Sequence, residues 1–210
     1  MVQSKLINYL EYLRNIFGET VIIEKHPLFD FEEEIKNCKR CDLSLGRTNF
    51  VFGKGCPNAD VLFVGEAPGE AEDLSGIPFI GRAGKLLDKM LEEISLERED
   101  VFIANVLKCR PPENRDPKPN EIALCETYLH KQIEIIKPRI IIALGRIAGQ
   151  TLLNIKAALK DMKGKTYTYR GVDLEVIYHP AAILRNMGLI DNYKADFHRL
   201  ADKYDLRGNK

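Results

Sequence analysis

No run of apolar residues in the 210-residue chain approaches the roughly 20 that a membrane-spanning helix needs. The N-terminus also lacks the shape of a signal peptide, because Glu11 and Arg14 follow soon after Leu6 to Leu10. We therefore expect an intracellular, cytoplasmic protein. The length suits one compact domain, with or without an arm, and is enough to bury a full core.

Excess charge of either sign is also absent, since 31 basic residues balance 31 acidic ones. A net charge of zero argues against a broad electrostatic grip on nucleic acid, although it leaves room for a local basic patch. The chain contains no G-x-x-x-x-G-K-[ST] loop, which counts against a nucleotide hydrolase. We find no internal repeat and no low-complexity segment.

The five cysteines are an odd number, which argues against a disulfide framework in a chain without an export signal. Cys38 and Cys41 form a C-x-x-C pair, and Cys109 and Cys125 follow much later. Four thiolates are the ligand count for tetrahedral zinc or for a four-iron cluster. The second pair brackets a proline-rich loop and a helix start, which favours the larger cluster. Cys56 is interpreted as a loop thiol, and the plain alternative for all of them is burial as small apolar side chains.

Apolar segments that alternate with helical patterns predict the fold. The predicted strands are 61–64, 101–106, 140–144 and 174–178, and the predicted helices are 83–94, 120–136, 146–158 and 192–204. Continuous aliphatic strands are typical of sheets covered on both faces. The sequence therefore predicts a three-layer α/β/α sandwich with a central, mainly parallel four-stranded sheet.

The N-terminal region has a different pattern. Apolar residues at three- and four-residue steps predict an amphipathic helix over 1–17, and a short helix is expected over 30–37. A loop with a short extended piece at 49–53 follows, and a polar turn is expected at 160–165. We divide the chain into an N-terminal helical arm, 1–36, and a single domain, 37–210.

Polar loops follow the first, second and fourth predicted strands and are expected to meet at one edge of the sheet. Ligands of open α/β folds bind beyond the carboxyl ends of the strands. Glu66 follows the first strand, Asn105 ends the second, and His179 follows the fourth. Each residue also has a plainer interpretation. Glu66 could be a solvated charge, Asn105 a structural amide, and His179 a histidine whose hydrogen bonds are made within the protein. Phe79 lies among glycine and proline residues, which favours a loop that closes over a ligand.

Together these pieces resemble the family 4 uracil-DNA glycosylases, the iron-sulfur type found in thermophilic bacteria and archaea. The resemblance covers about residues 37–200. It rests on the spacing of the cysteines and on the motifs G-E-A-P-G-E-A-E-D at 65–73, P-F-I-G-R-A-G at 78–84, N-V-L-K-C-R-P-P at 105–112 and H-P-A-A-I-L-R-N at 179–186.

The resemblance implies an enzyme that hydrolyses the N-glycosidic bond of deoxyuridine in DNA. Release of uracil would leave an abasic site and initiate base excision repair. In that family the cysteines hold a [4Fe-4S] cluster with a structural role. This implies the ligand set Cys38, Cys41, Cys109 and Cys125.

The resemblance also assigns roles within the pocket. Phe79 would stack on the uracil ring, and the amide of Asn105 would pair with its O4 and N3–H edge. His179 would donate a hydrogen bond to O2, where negative charge develops. Related enzymes place an Asp where this chain has Ala67. Glu66 therefore either positions the attacking water or shapes the pocket together with the backbone of Ala67.

Short basic segments are expected to hold uracil-containing DNA, single- or double-stranded. The basic residues expected to contact it are Arg82, Lys85, Lys108 and Arg110, with Arg115 and Lys118 in the same loop. The candidates for a wedge that fills the gap left by the flipped base are Ile183, Leu184 and Arg185. A replication or repair protein such as a sliding clamp is a further expected partner.

Two alternatives remain open at this stage. A related branch becomes covalently trapped on uracil-DNA through a histidine in an inserted basic loop, but this chain has no histidine between Cys109 and Cys125. The other alternative is a noncatalytic iron-sulfur or zinc module that binds DNA. Such a module would not need Glu66, Asn105 and His179 together.

Overall fold

A central, mainly parallel sheet organises the fold. The structure is a computed structural model that describes residues 26–206, so the helix predicted over 1–17 lies outside the described residues. In chain order the strands are β1 (Lys54–Gly55), β2 (Val61–Gly65), β3 (Phe102–Asn105), β4 (Ile140–Leu144), β5 (Thr166–Tyr169) and β6 (Val172–Ile177). Across the sheet their order is β1-β3-β2-β4-β6-β5.

The parallel part of the sheet consists of β3, β2, β4 and β6, which are the strands that the sequence predicts. The predicted fold class is confirmed. Two short strands, β1 and β5, extend the edges in the antiparallel direction. Sequence patterns miss them because β1 has only two residues and β5 is the polar segment T-Y-T-Y.

Helices cover both faces of the sheet. They are α1 (Pro27–Ile35), α2 (Leu43–Gly46), α3 (Glu70–Ser75), α4 (Arg82–Glu93), α5 (Pro119–Ile136), α6 (Arg146–Leu153), α7 (Leu159–Met162), α8 (Pro180–Arg185) and α9 (Ile190–Tyr204). The helix predicted over 146–158 ends early because Asn154 adopts the left-handed conformation at its C-terminus. The polar turn predicted at 160–165 is partly helical, because α7 extends to Met162. Met162 is buried. No helix in the described range is long and apolar enough to cross a bilayer.

Alternate residues of the parallel strands enter two separate cores. In β2, Val61 and Phe63 pack with α4 and α9, whereas Leu62 and Val64 pack with α1, α5 and α6. This is the period of two that a strand imposes when both faces of its sheet are covered. The two cores fix the strand register, so the polar loops at the carboxyl ends of the strands rest on a rigid base.

The first described helix, α1, packs on α5 and buries Leu28 and Ile35 in the second of these cores. Residues 27–35 therefore share the core of the domain. The division of the chain at residue 36 stays a prediction for residues 1–25, which lie outside the described range.

Candidate active site

A cavity of about 590 Å³ lies at the carboxyl ends of β2, β3, β4 and β6. The predicted site residues that line it are Glu66, Ala67, Phe79, Asn105, His179 and Arg185. Glu72, Asp116 and Arg146 also line it, and the sequence does not single them out for this cavity. The end of β4, which the sequence analysis assigns no role, contributes through Gly145 and Arg146.

His179 is held as a neutral ring at the start of α8. Its Nδ1 accepts a hydrogen bond from the backbone N–H of Ala181 at 3.1 Å. Burial and, to a smaller extent, the positive charge of Arg185 lower the pKa of His179 to about 4, against an opposing effect of Glu72. Because Nδ1 is the acceptor, the single proton of the neutral ring belongs on Nε2. His179 is therefore a hydrogen-bond donor at neutral pH.

Asn105 ends β3 with its side chain almost fully buried, at 2% exposed. Its Oδ1 has no hydrogen-bond partner in the structure. A buried acceptor without a partner costs about 1 to 3 kcal/mol, and this cost is typical of a group reserved for a ligand. Gly65 makes room for it, because a Cβ at that position would lie 2.3 Å from Oδ1.

The ring of Phe79 lies beside His179, with 5.5 Å between the ring centroids and 33° between their planes. The backbone of Phe79 has a φ of 52°, a left-handed conformation that a phenylalanine rarely adopts. Arg98 holds this backbone by donating to the carbonyl oxygens of Pro78 at 2.6 Å and Phe79 at 2.9 Å. A Cβ on Gly84 would lie 1.5 Å from the Phe79 oxygen, so only glycine fits there. Phe79 is thus fixed as one wall of the cavity.

Glu66 is half-buried at the end of β2. Burial and, to a smaller extent, the negative charge of Asp116 raise its pKa to about 7, against an opposing effect of Arg146. Asp116 and Arg146 both line the cavity and form an ion pair, with 3.7 Å between Asp116 Oδ2 and Arg146 Nη2. A carboxyl group with a pKa near neutrality can exchange a proton during a reaction.

Glu72 ties together the two loops that carry Glu66 and Phe79. Its Oε2 accepts from the N–H of Gly69 at 3.1 Å, and its Oε1 accepts from those of Ile80 at 3.1 Å and Gly81 at 3.0 Å. Glu72 has no role of its own among the residues that the sequence singles out. Its position in the first turn of a helix, where a carboxylate can accept from free backbone N–H groups, is the local signal that would have found it.

Three of the four cysteines of the predicted metal site pack together beside Ala67, which lines the cavity, and Tyr128 of the same cluster holds the fourth, Cys38. Cys109 and Cys125 are buried, and Cys41 packs against them together with Leu43 and Leu107. Burial raises the pKa of Cys125 to about 12, although Lys108 opposes the shift. Cys56 packs elsewhere, against the core beneath α1 and α5.

Hydrogen-bond donors point at three of these sulfur atoms. Tyr128 Oη donates to Cys38 Sγ at 3.1 Å, and Arg47 donates to Cys109 Sγ at 3.2 Å. The backbone N–H of Lys108 donates to Cys125 Sγ at 3.3 Å. Such donors suit thiolates that carry negative charge and bind a metal.

Among residues 26–206, no three histidine, cysteine or carboxylate side chains group closely enough to hold a single metal ion. A four-iron cluster has no need of such a grouping, because each of its irons takes one cysteine. The buried sulfur atoms and their donors fit a site of that kind.

The structure contradicts two of the predicted DNA contacts. Lys108 is fully buried, because it follows β3 into the core and its Nζ donates to Asn105 O and Gln132 Oε1. Burial lowers the pKa of Lys108 to about 8. Ile183 is also fully buried, as the residue of α8 that faces the core, and is unable to act as a wedge.

The other predicted DNA contacts remain at the surface around the cavity. Arg82 and Lys85 are exposed in the first turn of α4, Arg185 is exposed at the end of α8, and Leu184 is half-buried. Arg110 is partly exposed, and its Nε donates to Asn114 Oδ1 at 2.8 Å.

Arg115 and Lys118 lie at the base of the proline-rich loop. Arg115 makes a two-pronged ion pair with Glu121, with distances of 2.6 and 2.9 Å. The backbone N–H of Lys118 donates to the same carboxylate at 2.8 Å. These contacts anchor the loop and leave the side chain of Lys118 exposed.

Comparison with known proteins identifies similar chains. A family model described as the Uracil DNA glycosylase superfamily matches residues 52–202, which include all six strands described above. A type-4 uracil-DNA glycosylase of Archaeoglobus fulgidus is 47% identical over 183 residues, covering 83% of this chain and 92% of the relative. One of Sulfurisphaera tokodaii is 46% identical over 180 residues, with coverage of 81% and 82%. One of Pyrobaculum aerophilum is 47% identical over 172 residues, with coverage of 78% and 88%.

Proposed function

The chain belongs to the uracil-DNA glycosylase superfamily and functions as a uracil-DNA glycosylase, and we propose that it releases uracil in the cavity between Glu66, Phe79, Asn105 and His179. The observation that carries this proposal is the buried Oδ1 of Asn105, which has no hydrogen-bond partner among residues 26–206. A flipped uracil brings the N–H that this oxygen needs.

The target nucleotide must first leave the DNA stack. Flipping costs a few kcal/mol in a duplex and little in a single strand. A cavity of about 590 Å³ has room for one pyrimidine base with part of its sugar. We therefore expect uracil to be released faster from single-stranded DNA than from a duplex.

Asn105 and Phe79 recognise the base in this proposal. Oδ1 of Asn105 accepts from uracil N3–H, and its amide N–H donates to O4, while Phe79 stacks on the ring. Cytosine presents the opposite pattern of donors and acceptors at this edge. Its binding would leave buried polar groups unpaired, which sites of this kind penalise by about four to five orders of magnitude.

His179 stabilises the departing base. Cleavage of the bond between N1 and C1′ leaves its electron pair on the uracil, and negative charge collects on O2. The Nε2–H of the neutral His179 ring donates to this oxygen. A donor fixed in place before the reaction is worth about 3 to 4 kcal/mol of transition-state stabilisation.

Glu66 directs the water that completes the reaction. The water oxygen bonds to C1′ of the oxocarbenium-like sugar, and its proton passes to the carboxylate. A loose transition state requires a water held in position more than a strong base. This assignment to Glu66 rests on its half-buried place in the cavity and on its raised pKa of about 7.

Basic side chains around the mouth hold the DNA backbone. Arg82 and Lys85 stand at the N-terminus of the 12-residue helix α4, where backbone N–H groups also favour phosphate. Arg110 lies on the proline-rich loop. Leu184 and Arg185, at the end of α8, are the remaining candidates for the wedge, because Ile183 belongs to the core.

Cys38, Cys41, Cys109 and Cys125 would hold a [4Fe-4S] cluster. When bound, the cluster would serve as a cross-link between the loop at 38–41, the segment after β3 and the helix α5. The Sγ atoms with hydrogen-bond donors support this ligand set. The residues that act on the substrate lie outside it.

A location beside DNA inside the cell agrees with this substrate and stays a prediction. A sliding clamp or another replication protein as a partner also stays a prediction, for which no described residue gives support.

Strand scission tests the proposal. The purified protein is incubated with labelled single-stranded oligonucleotides that carry one uracil, and matched thymine and cytosine oligonucleotides serve as controls. After alkali, we expect scission at uracil alone. Binding to uracil-DNA on a gel without any scission would instead indicate a noncatalytic module on the same fold.

A further inference from the structure

Lys108 is one of the largest fully buried side chains of the protein, with no exposed surface. It lies in the motif N-V-L-K-C between Asn105 and Cys109, which the proposed function assigns to uracil and to the iron-sulfur cluster. Neither role accounts for a buried lysine between them. A lysine is almost never buried without a paired charge, so its position requires a physical reason.

The hydrogen bonds of Lys108 connect the two sites. Its Nζ donates to the carbonyl oxygen of Asn105 at 2.9 Å and to Gln132 Oε1 at 2.6 Å. Gln132 is itself fixed, since its Nε2 donates to Phe52 O at 2.9 Å. The backbone N–H of Lys108 donates to Cys125 Sγ at 3.3 Å. One residue thus contacts both the base-reading asparagine and a cysteine of the proposed cluster.

The side-chain hydrogen-bond partners of Lys108 are neutral. No carboxylate within residues 26–206 forms an ion pair with it, and the sulfur atom that Lys108 contacts is that of Cys125, through its backbone N–H. A buried ammonium that meets only neutral acceptors is costly. Thiolates bound to a cluster would supply negative charge on the side where the backbone N–H of Lys108 meets Cys125 Sγ.

We infer that Lys108 is the internal counter-charge of the cysteine-bound cluster and a positioning residue for Asn105. Its ammonium group is attracted to the anionic site and at the same time holds the Asn105 carbonyl, which sets the direction of the amide that reads uracil. This inference rests on the proposed cluster and the proposed base reading. Through Lys108, the cluster would be connected to substrate recognition although it takes no part in the chemistry.

The variants Lys108→Met and Lys108→Gln separate charge from hydrogen bonding. Both remove the positive charge, so we expect the reduction potential of the cluster to shift to more negative values in both. Gln retains an N–H donor for the Asn105 carbonyl and Met does not. We therefore expect Lys108→Met to lower kcat on uracil-DNA by about 10- to 100-fold, with a smaller loss for Lys108→Gln.

A third variant, Gln132→Glu, tests the charge while Lys108 stays in place. Its carboxylate would still accept from Nζ and would neutralise the ammonium locally, so the potential should again become more negative. This variant also guards against poor folding of the two lysine variants. Iron and sulfide content is measured for each protein, so that the potentials refer to fully loaded sites.

The results distinguish this inference from the proposals beneath it. Unchanged potentials in variants with full iron content would overturn the inference alone, whether or not the wild-type protein releases uracil. Equal kcat values for wild type and Lys108→Met would overturn the positioning of Asn105. A wild-type protein without iron would overturn both the inference and the proposed cluster, and failure to cleave uracil-DNA would overturn the proposed base reading.

Discussion

The Nδ1 atom of His179 accepts a hydrogen bond from the backbone N–H of Ala181, 3.1 Å away. This bond holds the ring at the start of α8 and leaves the proton of the neutral imidazole on Nε2. The pKa of about 4 ensures that the ring is neutral in the physiological range. A neutral hydrogen-bond donor with a fixed direction is suited to stabilising a developing oxyanion. Loss of this donor should therefore slow the excision of uracil.

His179→Ala is expected to lower the rate of uracil excision by about 100- to 1000-fold in single-turnover experiments. The affinity for uracil-DNA should change much less, because the hydrogen bond to O2 strengthens only as charge develops. His198→Ala is the matched control, since His198 is an exposed residue of α9 whose ring faces Glu93. An excision rate for His179→Ala equal to that of the control would rule out the assigned role.

The pH profile should report the ionisation of Glu66. Its pKa is raised to about 7, so the carboxylate form is lost as the pH falls below that value. If this carboxylate directs water, kcat/KM should fall about tenfold per pH unit below pH 7. His179 stays neutral until about pH 4 and adds nothing to this limb. Glu66→Gln should remove this acidic limb of the pH profile and lower the plateau of kcat/KM at higher pH.

Asp116→Asn should move the acidic limb to lower pH. The negative charge of Asp116 raises the pKa of Glu66, so its removal lowers that pKa, and Arg146 would then act on Glu66 without its partner. The plateau at high pH should change little. An unshifted limb would show that a group other than Glu66 is titrating.

The Asn105→Leu variant should weaken recognition of uracil without lowering the stability of the folded protein. Loss of two hydrogen bonds to the base, at about 1 kcal/mol each, should weaken inhibition by free uracil by about 30-fold. The melting temperature should not fall, because the substitution removes a buried oxygen that has no hydrogen-bond partner in the described part of the chain. Product-inhibition kinetics and thermal melts measure the two effects. A lower melting temperature would assign Asn105 a structural role instead.

Cys38→Ser should lose iron and stability. Loss of a structural metal site typically costs about 4 kcal/mol or more, which corresponds to a fall in Tm of about 8 to 16 °C for a chain of this size. Cys56→Ser is the matched control, because Cys56 lies apart from the other cysteines. Iron assays and thermal melts of both variants check the ligand set, and equal iron loss from both would contradict it.

Arg82→Ala and Lys85→Ala should each reduce the salt dependence of DNA binding. Every phosphate contact that is lost lowers the slope of log K against log salt concentration by about 1. Lys137→Asn is a suitable control, because Lys137 precedes β4 at the opposite edge of the sheet and asparagine tolerates its left-handed backbone. A control with the same loss of slope would argue against a local phosphate site at α4.

Apolar strands and the loops after them could be predicted from the sequence because both follow local rules. Three of the four parallel strands are continuous aliphatic runs in the sequence, and Glu66, Asn105 and His179 follow from the ends of the strands. The edge strands could not be predicted this way, since pairing with β3 and β6 rather than composition makes β1 and β5 extended.

Lys108 illustrates the limit of local reasoning at the site. A lysine in a loop with several basic residues suggests contact with DNA, and only the packing of α5 against β3 reveals that Gln132 meets its ammonium in the core. Ile183 differs from Leu184 in the same way, because the rotation of α8 decides which side chain enters the core. Asp116 and Arg146 form an ion pair although they lie in separate segments of the sequence.

Detection of free uracil by mass spectrometry tests the central claim most directly. A limiting amount of protein is incubated with an excess of single-stranded DNA that carries one uracil, and the released base is quantified beside the intact mass of the protein. We predict several molecules of uracil per protein molecule and no change in protein mass. Absence of free uracil, or a protein that carries covalently attached DNA after a single event, would contradict the account.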